Sequence, residues 1–137
     1  LYIGSQNNVL RMDSDLNPLE VWVLPNREPA ILNNNVPSIR SLTTSAENVF
    51  ILDSRNMRIL NYGKNGELIE IFGDEWINDR WNPNICDATI DSVGHPKFIK
   101  YNPVNQKIYI GNYNEADIEW ETPCVGSGKN YISIFNP

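Results

Sequence analysis

Few residues in this sequence have side chains that are suited to nucleophilic catalysis or to binding a transition metal. The chain has one histidine, His95, and two cysteines, Cys86 and Cys124. One imidazole cannot build a histidine-rich metal cluster, and two thiols cannot build a four-cysteine zinc site. Nucleophilic chemistry assisted by an imidazole is limited to a single Cys/His pair. This inventory favours a binding protein over an enzyme.

Aromatic side chains stand beside polar ones in two segments that carry no strand-like pattern. The candidate ligand-binding residues in these segments are Trp76, Asp79, Arg80, Trp81, Glu119 and Trp120. An exposed indole offers contact area and its polar neighbours give direction, which suits a carbohydrate, a peptide or a protein surface. The alternative is that the three indoles fix long loops to the protein body.

The charge balance and hydropathy exclude two classes of partner. The 11 Lys and Arg residues are outnumbered by 17 Asp and Glu, giving a formal charge of −6 and a pI near 4.7. A nucleic-acid surface needs clustered cations, so we expect no nucleic-acid partner. No apolar stretch approaches the roughly 18–20 residues that span a bilayer. The chain opens inside strand-like sequence, so we expect a fragment or a processed product.

Short apolar runs rich in Ile, Val, Tyr and Phe alternate with turn residues, above all asparagine, along the whole chain. Such runs predict β-strands, and no segment shows a sustained helical period. The runs also repeat. The segment 37–51 lies over 96–110 without a gap, at an offset of 59 residues, and 1–4 matches 108–111. A unit of about four strands in about 40–50 residues is typical of a propeller blade, so the sequence predicts an all-β protein built from such blades.

The middle repeat, 45–68, resembles an NHL repeat. It has a turn, an apolar strand ending in Asp53, a short loop bearing Asn56, the pair Arg58-Ile59, an aromatic residue and a glycine-containing hairpin. The resemblance implies a β-propeller, usually of six blades, with four antiparallel strands per blade ordered from channel to rim.

On that template the chain is one partial propeller of three blades. Residues 1–36 form a blade without its inner strand, 37–94 a complete blade with a long link, and 95–137 a blade without its outer strand. Three blades do not close a ring, and open blade flanks are prone to association. We expect the ring to be completed by the rest of a longer propeller or, as the second choice, by another copy. We expect Trp22 to pack between blades.

The same template places the long connections on one face. These are the segments 25–36, 74–94 and 112–129, and binding functions commonly evolve in loops on a rigid scaffold. Cys86 and Cys124 both fall in this set, which predicts a disulfide between them; two separate thiols are the alternative. A disulfide would indicate an extracellular, periplasmic or cell-surface location.

Metal-dependent catalysis is the alternative function. Some six-bladed propellers of similar type hold a metal at the channel mouth and act as lactonases, phosphatases or lyases. Here the candidate ligands are His95, Asp53 and Asn112. A structural histidine in a turn is the favoured interpretation of His95, and Asp53 and Asn112 also fit a role in capping their own loops. The acidic residues of 74–91 could gather a calcium ion, but a solvated acidic loop is the favoured interpretation. The segment Asp13–Asn17 begins like a calcium loop, but Pro18 replaces the required glycine, which predicts a hairpin turn.

The third possible function is that of a purely structural subunit of a larger assembly.

Overall fold

In a computed structural model, the described part of this chain contains ten strands. The model describes residues 1–28, 36–56, 58–72, 96–112 and 131–137. The strands are β1 (Tyr2–Ser5), β2 (Asn8–Met12), β3 (Pro18–Val23), β4 (Ile39–Thr44), β5 (Asn48–Asp53), β6 (Arg58–Gly63), β7 (Leu68–Phe72), β8 (Pro96–Asn102), β9 (Lys107–Asn112) and β10 (Tyr131–Phe135). No helix occurs in these ranges, so the prediction of an all-β protein is confirmed.

The strands form three antiparallel sheets in chain order. Sheet 1 has the order β1-β2-β3, sheet 2 the order β4-β5-β6-β7, and sheet 3 the order β8-β9-β10. Within each sheet every strand pairs with its neighbour in sequence, and a short turn joins each pair except β9 and β10. The predicted division into sets of three, four and three strands is confirmed, while the interpretation of the sets as propeller blades stays a prediction.

Sheet 2 is covered on both of its faces, and its two central strands, β5 and β6, are buried at almost every position. Side chains of a strand alternate between the two faces. Val49 and Ile51 of β5 join a cluster with sheet 1, whereas Phe50 and Leu52 join a second cluster with sheet 3. All four are at most 1% exposed. Burial of each such side chain stabilises the fold by roughly 1.5–3 kcal/mol.

The contact between sheets 1 and 2 recurs between sheets 2 and 3. Trp22 of β3 stacks on Tyr62 of β6 with ring centroids 5.4 Å apart. Phe72 of β7 meets Phe135 of β10 at 5.3 Å, with the rings more steeply tilted. The two pairs occupy corresponding positions. Trp22 and Phe72 lie in β3 and β7, each the last strand of its sheet, and Tyr62 and Phe135 lie in β6 and β10, each the third strand of its sheet. Trp22 is 6% exposed, which confirms its predicted position between two sheets.

The first strands of sheets 2 and 3 run side by side in the same direction. The backbone N–H of Ile99 donates to Ser41 Oγ at 3.4 Å, and that of Tyr101 donates to Thr43 Oγ1 at 3.1 Å. Both contacts advance by two residues on each strand, so β4 and β8 are parallel. Two sheets related in this way stand next to each other in the same orientation.

The predicted gapless repeat is wrong within the first hairpin of sheet 3. In sheet 2, Ser45 N–H bonds to Asn48 O and leaves a loop of two residues, Ala46 and Glu47. In sheet 3, Asn102 pairs with Lys107 and leaves a four-residue loop, 103–106. The extra residues are accommodated by positive φ at Gln106, so the first strand shifts by two places against the second. An even shift keeps every side chain on its predicted face.

Candidate functional site

The three sheets present their long connections at one edge, which we call the loop edge. At this edge β1, β3, β5, β7 and β9 end, and β2, β4, β6, β8 and β10 begin. The connections 24–38, 73–95 and 113–130 start and finish there. Among the described residues, the opposite edge carries the short hairpins 13–17, 45–47, 64–67 and 103–106.

Backbone hydrogen bonds align the loop edges of sheets 1 and 2. The N–H of Ile39, which begins β4, donates to Gln6 O at 2.6 Å, and the N–H of Leu24 donates to Asn7 O at 2.9 Å. Gln6 and Asn7 form the tight turn between β1 and β2. The first residue of the connection from β3 and the first residue of β4 are thus both held against this turn.

A buried carboxylate organises the centre of the loop edge. Asp53, the last residue of β5, is 0% exposed. Its Oδ1 accepts from the backbone N–H groups of Ser38 (2.9 Å) and Asn56 (3.3 Å). Its Oδ2 accepts from Asn56 Nδ2 (2.7 Å) and Arg58 Nε (3.0 Å). A carboxylate offers about four acceptor positions, so protein donors occupy all of them.

Arg58 extends this cluster to the connection between sheets 1 and 2. Its side chain is 3% exposed, and its Nη2 donates to the carbonyl of Pro25 at 2.5 Å. A buried guanidinium that binds both a carboxylate and a backbone carbonyl is a rigid support, because leaving either group unpaired carries a large desolvation penalty. Asp53 and Arg58 therefore fix where the 24–38 connection leaves the sheets and where β4 begins.

Asp53 matches its predicted role in capping its own loop. Hydrogen bonds from Asn56 to both carboxylate oxygens close the 54–57 turn. The sequence pattern also contained Arg58, but it did not indicate an ion pair or the contacts with Ser38 and Pro25. Those contacts join segments 15 and 33 residues apart, which no local pattern reveals. A buried Asp followed five residues later by Arg at a strand start is the available signal.

Most of the predicted site residues lie outside the described residues. These are Trp76, Asp79, Arg80, Trp81, Cys86, His95, Glu119, Trp120 and Cys124. The acidic residues of 74–91 and the proposed Cys86–Cys124 disulfide fall outside them as well. Asn112 ends β9 in the place that Asp53 has in β5, with its backbone paired to Tyr131. Its role in loop capping or metal binding stays a prediction.

The segment Asp13–Asn17 forms the hairpin turn predicted for it, at the edge opposite the loop edge. Asp13 Oδ1 accepts from the backbone N–H groups of Asp15 and Asn17, both at 2.9 Å, and Leu16 adopts a positive φ. The hydrogen bond from the Asn17 side chain is the main cause that lowers the pKa of Asp13 below its ordinary value. The Asp13 carboxylate therefore stabilises the turn in which it lies.

A second ion pair lies on sheet 1 and is far more exposed than the Asp53–Arg58 pair. Arg11 Nη1 donates to Glu20 Oε1 at 2.7 Å across β2 and β3, and both side chains are 35% exposed. The hydrogen bond from Arg11 is the main cause that lowers the pKa of Glu20. Water screens this pair, so we expect it to contribute little to stability and not to hold a binding site in place.

The described ranges contain neither a cluster of metal ligands nor a membrane-spanning helix. No group of three or more His, Cys, Asp or Glu side chains is placed there to hold a metal. None of those ranges contains a helix with the length and hydropathy of a membrane span. The class that the fold defines is an all-β protein of repeated antiparallel sheets. Comparison with protein-family models and with curated sequences finds no match, so the resemblance to NHL repeats stays a prediction.

Proposed function

We propose that this chain is a non-enzymatic binding module of the β-propeller type, which holds a protein, peptide or glycan with the long connections of its loop edge. The observation that carries the proposal is the contrast between the two edges. In the part of the chain that the structure describes, one edge carries hairpin loops of a few residues, whereas three long connections begin and end at the other edge, beside central strands that are buried on both faces.

The Asp53–Arg58 cluster supports this role because it holds the base of the loop edge in one arrangement. A rigid base lowers the ordering cost that a loop pays when it binds. The tryptophans that fall in these connections, Trp76, Trp81 and Trp120, are the proposed contact residues. Asp79, Arg80 and Glu119 supply directional polar contacts beside them. In this proposal the Cys86–Cys124 disulfide restricts two connections and accompanies an extracellular or cell-surface location.

A metal-dependent hydrolase or lyase receives less support. That function needs ligands converging from several sheets, with Asp53 among them. The four acceptor positions of Asp53 are already filled by Ser38, Asn56 and Arg58. Those contacts make Asp53 a support for the loop edge.

The test is a binding screen of the purified chain against a glycan array and a displayed peptide library. We expect hits that are lost in the triple variant Trp76→Ala/Trp81→Ala/Trp120→Ala and kept in Glu47→Ala, which changes an exposed residue at the opposite edge. Both variants should retain the thermal midpoint of the parent. Binding that survives in the triple variant, or that is lost equally in Glu47→Ala, would contradict the proposal.

A further inference from the structure

Strand β1 lies at the open edge of sheet 1. The three strands of sheet 1 correspond to the last three strands of sheet 2, since Ile3 pairs with Leu10 as Ile51 pairs with Leu60. In sheet 2, β4 covers the outer edge of β5, whereas no strand of the described residues pairs with the outer edge of β1. Three of the four residues of β1 are exposed. An open strand edge of this kind is a template for pairing with a further strand.

The hydrogen bonds of β1 show which of its backbone groups are open. The amino group of Leu1 donates to Met12 O at 3.0 Å, and the N–H of Met12 donates to Leu1 O at 2.8 Å. Bonded and non-bonded pairs alternate along an antiparallel ladder. The N–H and C=O groups of Tyr2 and Gly4 therefore point away from β2, toward the open edge.

The backbone groups at the same two places in sheet 2 are used by β4. The residues at these places in β5 are Phe50 and Leu52. They pair with Thr43 and Ser41 of β4, respectively. The hydrogen bond from Ser45 N–H to the first residue of β5 sets the alternation, and it makes both of these pairs bonded pairs. A strand antiparallel to β1 would therefore find the same set of backbone partners that β4 finds on β5.

Strand β4 also presents two open N–H groups. In the contact between sheets 2 and 3, the N–H groups of Ile99 and Tyr101 in β8 donate to side-chain hydroxyls of β4. Leu42 and Thr44 occupy the corresponding positions in β4. They lie between the bonded pairs of β4 and β5, so their N–H groups point away from β5. Among the described residues, sheet 1 supplies no acceptor to either group.

We propose that β1 accepts an extended segment of another polypeptide as a fourth strand of sheet 1, antiparallel to β1 and parallel to β4. The backbone of this segment bonds to Tyr2 and Gly4. Ser or Thr side chains at the two positions opposite these residues accept hydrogen bonds from the N–H groups of Leu42 and Thr44. In strand addition of this kind, main-chain hydrogen bonds give affinity and alternate side chains give specificity.

The exposure of β1 and the sequences of the strands assign the added segment to a different polypeptide. In the folded chain, β1 stays exposed at three of its four residues. Among the ten described strands, only β4 has hydroxyl side chains at alternate positions, Ser41 and Thr43. Both already accept hydrogen bonds from β8. A second copy would have to open its own sheet 2 to supply them.

The test is an NMR titration of the whole chain with a synthetic peptide that has the sequence of residues 38–45. This peptide is the probe because β4 makes both kinds of contact in sheet 2. We expect saturable binding. Amide hydrogen exchange should slow at least about tenfold at Tyr2, Gly4, Leu42 and Thr44 of the chain, since their N–H groups become hydrogen-bonded.

Modified peptides separate the backbone contacts from the side-chain contacts. N-methylation of the peptide at Ser41 or Thr43 removes an N–H that bonds to β1 and should weaken binding at least about tenfold. N-methylation at Leu42 of the peptide is the matched control and should leave binding nearly unchanged, because that N–H points away from β1. The peptide Ser41→Ala/Thr43→Val should bind about three- to tenfold more weakly and should no longer slow exchange at Leu42 and Thr44 of the chain.

The chain itself is the same in every titration, so no loss of binding can come from misfolding. Absence of saturable binding would overturn the proposal, as would an equal loss of binding on methylation at Leu42 of the peptide. Slow exchange at Leu42 and Thr44 in the chain alone would also overturn it, because the chain or a second copy would then already fill the place beside β1.

Discussion

Sheet 2 and the two sheets that flank it differ in how many of their faces are covered. In sheet 2, β5 is buried from Val49 to Asp53 and β6 along its whole length. In sheet 1, the corresponding strands β1 and β2 bury one residue, Val9, and Ile3 is 45% exposed. The sequences are apolar in both regions, so composition alone does not separate a buried face from an exposed one. The position of a sheet in the stack decides whether one or both of its faces are covered.

The comparison also separates two ion pairs of similar geometry. Asp53 and Arg58 are 0% and 3% exposed at the base of the loop edge, whereas Arg11 and Glu20 are each 35% exposed on sheet 1. A buried pair leaves an uncompensated charge when one partner is removed, while an exposed partner is solvated by water. We therefore expect very different consequences from the same kind of substitution.

The largest effect is expected from Asp53→Ala. It strands the Arg58 guanidinium in the interior and removes the acceptor that holds Ser38, so the free energy of unfolding should fall by about 3–5 kcal/mol. Urea denaturation followed by tryptophan fluorescence measures it. The double variant Asp53→Leu/Arg58→Met should recover part of the loss. A loss below about 1 kcal/mol for Asp53→Ala would show that the cluster does not organise the edge.

Removal of a core side chain from sheet 2 should come next. Leu60→Ala empties a fully buried position between sheets 1 and 2 and should lower the free energy of unfolding by about 2–5 kcal/mol. Val21→Ala, measured at low protein concentration, should change it by no more than about 0.5 kcal/mol because its side chain is exposed. Similar losses at the two positions would contradict the contrast between the sheets.

Gly66→Ala is expected to have an intermediate effect. Gly66 adopts φ +86°, and a Cβ there would lie 2.7 Å from Trp22 Nε1. The left-handed backbone alone should cost about 1–2 kcal/mol, and the approach to the indole adds to it. Lys64→Ala in the same hairpin is the control and should be nearly neutral. Equal denaturation midpoints for the two variants would contradict the left-handed backbone at Gly66 and its close approach to the Trp22 indole.

The smallest effect concerns the exposed pair on sheet 1. Because the pKa of Glu20 is lowered from 4.5 in the folded chain, its contribution to stability is present at neutral pH and is lost as the pH falls below 4.5. An NMR titration of the Glu20 carboxyl should give a midpoint below 4.5, and Arg11→Met should raise it. A midpoint at or above 4.5 in the parent chain would refute the pairing.

The strands and turns were predictable because their signals are local. Alternating apolar residues and the asparagine- and glycine-rich turns mark each of the ten strands in the described residues, and Pro18 correctly distinguished the Asp13 turn from a calcium loop. The two-residue shift in sheet 3 was not predictable from the apolar pattern, since a shift by two places leaves every side chain on the same face. The contact of Arg58 with Pro25 depends on how two sheets meet, whereas Asp53 and Arg58 are cross-strand partners within sheet 2. The loop tryptophans lie beyond the described residues, so their role rests on sequence.

Paired double-mutant cycles show whether successive sheets meet through the same contact. One cycle uses Trp22→Leu with Tyr62→Leu, and the other uses Phe72→Leu with Phe135→Leu. We expect a coupling energy of about 0.5–1.5 kcal/mol in each cycle and none for the unrelated combination of Trp22 with Phe135. Coupling in one cycle but not in the other would contradict a repeated contact between successive sheets.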